Sequence, residues 1–254
     1  MAELASYDDI PLTELAARTG SPRIVAFDSV GSTMDAAHEL ARGGAEHGTV
    51  VLAGEQTAGR GRERREWRSA PGGVWLTLVA RDLDSRNIGV LPLRIGIAAA
   101  EALEALTSEP IGLKWPNDLF LGDRKLGGVL AEARWRGEQL DWAAVGIGIN
   151  LTAPEGVGAA GLGGSVPRVA VVERVVPAIL AACSRAGVLT TAELSSFAAR
   201  DIARGREIAE PVAGVVAGID ESGALLVESA GTVHPIRSGS LTFRSSTAAP
   251  SANR

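Results

Sequence analysis

Lysine is nearly missing from this chain. Of its 25 basic residues among 254, only Lys114 and Lys125 are lysines, eleven positions apart. Either an Arg-, Ala- and Gly-rich composition left two survivors, or these positions need a compact point charge that a broad, permanently charged guanidinium cannot replace. Cysteine is scarcer still. Cys183 stands alone, so no intramolecular disulfide forms, and in its Ala-rich helical stretch it reads as a small buried hydrophobe. A reducing compartment, the cytoplasm, is the expectation. No stretch approaches the ~18 apolar residues of a membrane helix. The opening MAELASYDDIPLTEL lacks the basic and apolar regions of a signal peptide. An excess of positive charge is also absent: 25 basic against 30 acidic residues leave −5. With a pI near 5.4 and only 4% aromatic residues, neither a basic footprint for DNA nor a stacking platform for RNA is present.

What remains is ordinary globular material, 46% hydrophobic and 22% charged, enough for one catalytic domain and a small appendage. The pattern predicts a polar lead-in over 1–21, a strand over 24–30, and a helix capped by Ser32, with Asp35 as capping-box partner, that stops at Gly43-Gly44. Strands are expected at 49–53 and 74–80, and a buried helix over 89–106. Short strands at 112–115, 119–121, 126–134 and 140–150 follow, joined by tight turns and therefore mostly antiparallel. A Gly-rich segment at 154–164 reads as a flexible loop, and helices as 168–186 and 190–204. Strands at 212–219, 224–228 and 232–236 make a small all-β unit, and 245–254 reads as a disordered tail.

Four segments can carry chemistry. In Gly59-Arg60-Gly61-Arg62-Glu63-Arg64-Arg65-Glu66-Trp67, glycines expose backbone amides while arginines fork onto carboxylate or phosphate. Five arginines between 60 and 68 make a positive island on an acidic protein, which points to a specific anionic ligand. Their mutual repulsion predicts a mobile loop that an anion orders. In Lys114-Trp115-Pro116-Asn117-Asp118, a lysine at the end of an apolar strand meets a polar corner. Lys125-Leu126-Gly127-Gly128-Val129-Leu130-Ala131-Glu132 and Gly146-Ile147-Gly148-Ile149-Asn150 bare the backbone of two strands where something packs against it. Each glycine alone reads equally as a bulge or twist point.

Together and in this order, the GRGR…W loop, KWPND, KLGGVLAE and GIGIN resemble the biotin protein ligases, over most of the chain. The resemblance implies an α+β fold. It has a mixed, mostly antiparallel sheet with flanking helices, a class II synthetase-like catalytic domain over 1–204, and an SH3-like β-barrel over 205–244. It implies activation of biotin by ATP, with Mg²⁺, to biotinyl-5′-AMP, then transfer to a lysine of a biotin carboxyl carrier domain of biotin-dependent carboxylases. By the same resemblance, Ser32, Thr33 and Gln56 bind the ureido ring, beside Met34. Arg60, Gly61 and Arg62 fold over biotin and the adenylate phosphate, and Lys114 serves the carboxylate and phosphate. Lys125 and Asp118 lie at the phosphate or metal side, Gly128, Gly146 and Gly148 line the biotin slot, and Asn150 marks the nucleotide end. Lys114, Arg62, Lys125 and Asp118 are the catalytic candidates, and no protein-bound metal is expected.

The sequence departs from the family pattern at Met34, in place of a usual Asn, and at Arg64, in place of a glycine. No Trp stands in 151–165 to stack on adenine, so the adenine contacts have no assignment. The short lead-in leads to the expectation of a monofunctional enzyme without an N-terminal DNA-binding domain, either monomer or homodimer, binding neither DNA nor membrane. Alternative readings are a lipoate or octanoyl ligase, whose relatives characteristically lack the GRGR…W loop, an inactive biotin-binding regulator, and an RNA-binding module.

Overall fold

A computed structural model describes residues 2–154, 156 and 158–244. The lead-in is folded. Strands β1 (Ser6–Tyr7) and β2 (Ile10–Pro11) form a hairpin that launches helix α1 (Leu12–Thr19), whose Leu15 and Ala16 enter the core. Its apolar positions are too few to stand out in a short polar segment, which is why the sequence pattern passed over it.

The main sheet has seven strands: β3 (Ile24–Val30), β4 (Val50–Gln56), β5 (Gly73–Ala80), β6 (Ile111–Lys114), β7 (Asp118–Leu121), β8 (Arg124–Arg136) and β9 (Gln139–Asn150). Their order is β3-β4-β5-β9-β8-β7-β6, with β3 and β4 parallel and the other pairs antiparallel. The one parallel pair follows from helix α2 (Thr33–Arg42), which carries the chain back between the two strands.

Helices cover both faces, so β5 is buried along its whole length rather than alternating. Its Val74, Leu76, Leu78 and Ala80 join the core beneath α1, α3 (Leu91–Leu103) and α4 (Arg168–Cys183). Trp75 and Val79 face the other way, toward Met34, Ala37 and Ala41 of α2. Cys183 ends α4 as a buried residue, and desolvation pushes its thiol up to about 12. No helix among the described residues is long and apolar enough to cross a membrane.

Helix α5 (Thr191–Arg200) begins with a capping box in which Thr190 and Glu193 exchange hydrogen bonds. The capping box expected at Ser32 does not form. Ser32 caps α2 alone by accepting from the Met34 amide, because Asp35 is drawn away to Arg60. The C-terminal strands β10 (Glu207–Glu210), β11 (Gly214–Ile219), β12 (Leu225–Ser229), β13 (Thr232–Ile236) and β14 (Thr242–Phe243) form a separate antiparallel sheet in the order β13-β12-β11-β10-β14. The three strands that the pattern expected here are joined by β10 and β14, which it passed over. Trp115 joins it to the main sheet, donating from Nε1 to the Gly223 carbonyl at 3.0 Å. The tail expected at 245–254 lies outside the described residues.

Candidate active site

On the α2 face of the main sheet, the rungs beyond the helix lose their side chains. Gly128 of β8 pairs with Gly148 of β9, which pairs with Trp75 of β5; on the next rung stand Leu130, Gly146 and Thr77. Because strand side chains alternate, glycines at 146 and 148 bare one face while Ile147 and Ile149 still fill the core on the other. The result is a cleft of about 560 Å³, within the usual range of small-molecule sites.

One end of the cleft is polar. The Thr33 amide and hydroxyl donate to Gln56 Oε1 at 2.8 and 3.0 Å, and the Thr77 hydroxyl lies 2.9 Å from that of Thr33. Gln56 Nε2 is held by the Ser69 hydroxyl at 2.7 Å. Such a mutually satisfied set is pre-organised to read a small polar head group.

The other end is cationic. Lys114 ends β6 opposite Asp118 in the hairpin register, with its Nζ 5.8 Å from the Phe120 ring and 5.2 Å from the Phe243 ring. Burial holds this ammonium below the ordinary lysine value; Asp118 opposes that shift, while Lys125, Arg206 and Arg65 add to it. A desolvated cation among like charges gains from an incoming anion, whose field favours the charged form. Lys125 Nζ lies 2.6 Å from Asp118 Oδ1 and 4.9 Å from the Trp67 ring centre. The corner between β6 and β7 is fixed by Asn117, whose amide donates to the Val129 carbonyl at 2.7 Å. The Trp115–Pro116 bond within it is cis.

The arginine loop closes over this end as a small hairpin. Trp67 N donates to the Gly59 carbonyl at 2.9 Å, and Gly61 N to the Arg65 carbonyl at 2.8 Å. The crowding of cations is offset by acids: Arg60 meets Asp35 at 2.7 Å and Arg65 meets Glu63 at 2.9 Å. Trp67 lies directly on the bared backbone, since a Cβ on Gly148 would stand 2.7 Å from its Nε1. That indole N–H is buried and without a hydrogen-bond partner, a donor awaiting an acceptor. Replacing Gly148 with alanine is therefore expected to lift the Trp67 ring, at about 1–3 kcal/mol of overpacking. The check is acrylamide quenching of Trp67, taken as the difference from Trp67→Phe backgrounds; unchanged quenching would show that the ring does not rest on this glycine.

The structure thus gathers Ser32, Thr33, Met34, Gln56, Arg60, Gly61, Arg62, Lys114, Asp118, Lys125, Gly128, Gly146 and Gly148 around one cleft. Asn150 is not among the lining residues. Its buried amide donates to the Ala160 carbonyl at 3.1 Å and so anchors the Gly-rich segment. The described part of that segment is itself bonded to the sheet, with Ala160 N donating to Lys125 O and Leu162 N to Asn150 O.

Sequence reasoning missed Thr77, Trp75 and the C-terminal contributors Glu210, Ser240, Leu241, Thr242 and Phe243. Thr77 had a signal: it is the polar residue on the cleft-facing parity of an otherwise apolar strand. Phe243 had none, because its approach depends on how the second sheet docks.

Residues 26–150 match the model of the biotin/lipoate A/B protein ligase family. The bifunctional ligase/repressor BirA of Bacillus spizizenii is 38% identical over 126 residues, covering 49% of this chain and 39% of the relative. The chain thus spans about two fifths of that protein's length. The biotin–[acetyl-CoA-carboxylase] ligase of Paracoccus denitrificans is 33% identical over 202 residues, 70% of this chain and 82% of the relative. Among solved structures, the biotin protein ligase of Aquifex aeolicus in complex with biotin and ATP superimposes with a TM-score of 0.72 at 27% identity, covering 88% of this chain and 99% of that one.

Proposed function

The chain belongs to the biotin/lipoate A/B protein ligase family, and from that premise we propose that it joins biotin to ATP as biotinyl-5′-AMP and passes the acyl group to a lysine of a biotin carboxyl carrier domain. The observation that carries this reading is the convergence of both lysines of the chain and the arginine loop on one glycine-floored cleft.

The first step brings a carboxylate onto the α-phosphorus of a polyanion; the oxygen–phosphorus bond forms as pyrophosphate leaves. Fixed cations must neutralise both partners and the added transition-state charge. Lys114, desolvated between two phenylalanine rings, is placed for the carboxylate and α-phosphate. Arg60, Arg62 and Lys125 surround the same end, with Asp118 holding Lys125 in place. The polar set Thr33, Gln56 and Thr77 suits the ureido group, and the bared backbone at Gly128, Gly146 and Gly148 the flat ring system. Ser32, which also caps α2, lines the same end of the cleft and joins that set. In the second step the carrier amine attacks the mixed anhydride carbonyl and AMP leaves; the loop's cover keeps water from that bond until then.

Magnesium fits as an ion carried by ATP. No group of three or more His, Cys, Asp or Glu side chains converges as a metal cage among the described residues. Mg²⁺ is typically bound through substrate phosphates and one or two carboxylates, the role open to Asp118, and it supplies charge neutralisation of the leaving pyrophosphate. A cytoplasmic site of action is part of this reading, supported by its requirement for ATP and by the single buried thiol.

The test is transfer to a purified biotin carboxyl carrier domain with biotin, ATP and Mg²⁺, read as a streptavidin mobility shift. ATP-dependent labelling of the carrier lysine is expected. Labelling with lipoate in place of biotin would replace the substrate assignment, and biotin binding without transfer would make the chain an inactive regulator.

A further inference from the structure

Behind the cleft, a buried histidine is wired to the arginine loop. His38 lies on α2 one turn after Asp35, with its side chain 3% exposed. Trp142 Nε1 donates to His38 Nδ1 at 2.9 Å. Because an indole N–H is donor-only, Nδ1 must be the unprotonated nitrogen, and the ring proton sits on Nε2. That proton points at Glu132 Oε2, 3.0 Å away. The other oxygen of Glu132 lies 3.7 Å from Arg60 Nη2, which also meets Asp35 at 2.7 Å. Among the described residues, Arg134, 3.4 Å from Glu132 Oε2, is the remaining charged group facing this carboxylate. Burial holds His38 below its ordinary value of 6.5, against the opposing pull of Glu132, so the neutral ring is favoured.

Neither His38 nor Glu132 lines the cleft, whereas Arg60 does. An apolar residue at 38 would leave the buried Trp142 N–H without its acceptor and take the Nε2 donor from Glu132, whose carboxylate would then be held by Arg60 and Arg134 alone. We propose that His38 is a positioning residue: acting through Glu132, it fixes Arg60 and with it the arginine loop over the cleft. The effect on catalysis rests on the ligase reading above; the effect on the loop does not.

Three variants separate a positioning role from simple core filling. His38→Leu removes both hydrogen bonds, and Glu132→Gln keeps a partner for His38 but discharges the contact to Arg60. His38→Gln restores one acceptor and one donor. In ligand-free protein, trypsin cleavage after the arginines of 60–68 is expected to rise about tenfold in the first two, the scale of one charged hydrogen bond. Cleavage elsewhere should stay unchanged, and His38→Gln should return toward wild type. In the adenylation assay the same variants should raise biotin KM about tenfold with little change in kcat, the signature of lost uniform binding. Equal acceleration at all sites, no acceleration at 60–68, or a His38→Gln variant as sensitive as His38→Leu would overturn the proposal. If wild type makes no adenylate, the ligase reading fails, and the proteolysis still decides whether His38 holds the loop.

Discussion

Replacing Lys114 with alanine is expected to slow biotinyl-adenylate formation by about 10²–10³-fold, the usual loss when one pre-organised charge donor is removed from a transition state. Lys114 is the stronger candidate of the two lysines because it is desolvated: an ammonium enclosed by Phe120 and Phe243 acts through a lower local dielectric than one open to water. Lys125 is about a third exposed and already bound to Asp118, so its alanine variant should lose less. Lys114→Arg should not restore the rate, since the planar fork is too broad for the slot that the ammonium occupies. Pyrophosphate release in single turnovers measures the step directly. A Lys114→Ala enzyme with normal adenylation and impaired transfer would move this residue to the second half-reaction; normal rates in both would remove it from the chemistry.

The largest expected loss of stability comes from a site outside the cleft. Arg94 of α3, 1% exposed, donates from Nε to Glu193 Oε1 at 2.6 Å and from Nη2 to the Val188 carbonyl at 2.8 Å. Glu193 also accepts from the Thr190 amide at 2.8 Å and from Arg185 at 3.1 Å, so one carboxylate caps α5, fixes the turn before it and ties both to α3. Glu193→Ala leaves a guanidinium buried without its main counter-charge and is expected to cost about 3–5 kcal/mol. At about 2–4 °C per kcal/mol for a chain of this size, Tm should fall by about 6–20 °C. A double Arg94→Met, Glu193→Leu variant should lose much less, because it removes the stranded charge together with the pair.

The pH dependence follows with a definite sign. Burial alone would raise the Glu193 value; the Arg94 and Thr190 hydrogen bonds outweigh it and bring the carboxyl from 4.5 down to about 2. A depressed carboxyl stabilises the fold fully above its unfolded value and loses that contribution as pH falls through the folded one. Wild type should therefore lose part of its stability between pH 4.5 and 2 by this route, and Glu193→Ala should lack that component. Urea unfolding at neutral and acid pH checks both. A loss under about 1 kcal/mol for Glu193→Ala would give the pair no more weight than an exposed ion pair.

The chemistry-bearing segments were legible in the sequence because each needs particular residue types in a short span. A glycine–arginine alternation, two isolated lysines and two stripped strands stay readable whatever lies around them. Strand parity also follows from sequence alone: in GIGIN, the glycines share one face and the isoleucines the other. What could not be read were partnerships between distant positions. His38 and Glu132 are 94 residues apart, and nothing in either segment announces the other until α2 packs on the sheet. Nor does the motif show that the segment after β9 folds back to take the Asn150 amide on the Ala160 carbonyl.

By itself, then, the sequence determined most of the strands and helices and the two stripped strands, since local geometry settles these, while its motifs implied the class of fold through their resemblance to the biotin protein ligases. Only the tertiary structure decided that the second sheet lends Phe243 to the lysine, that Trp67 rests on Gly148, and that a buried histidine backs the arginine loop. Those contacts depend on the docking angles of whole elements, set by the sum of many weak packing terms across the core. No window of sequence contains that sum.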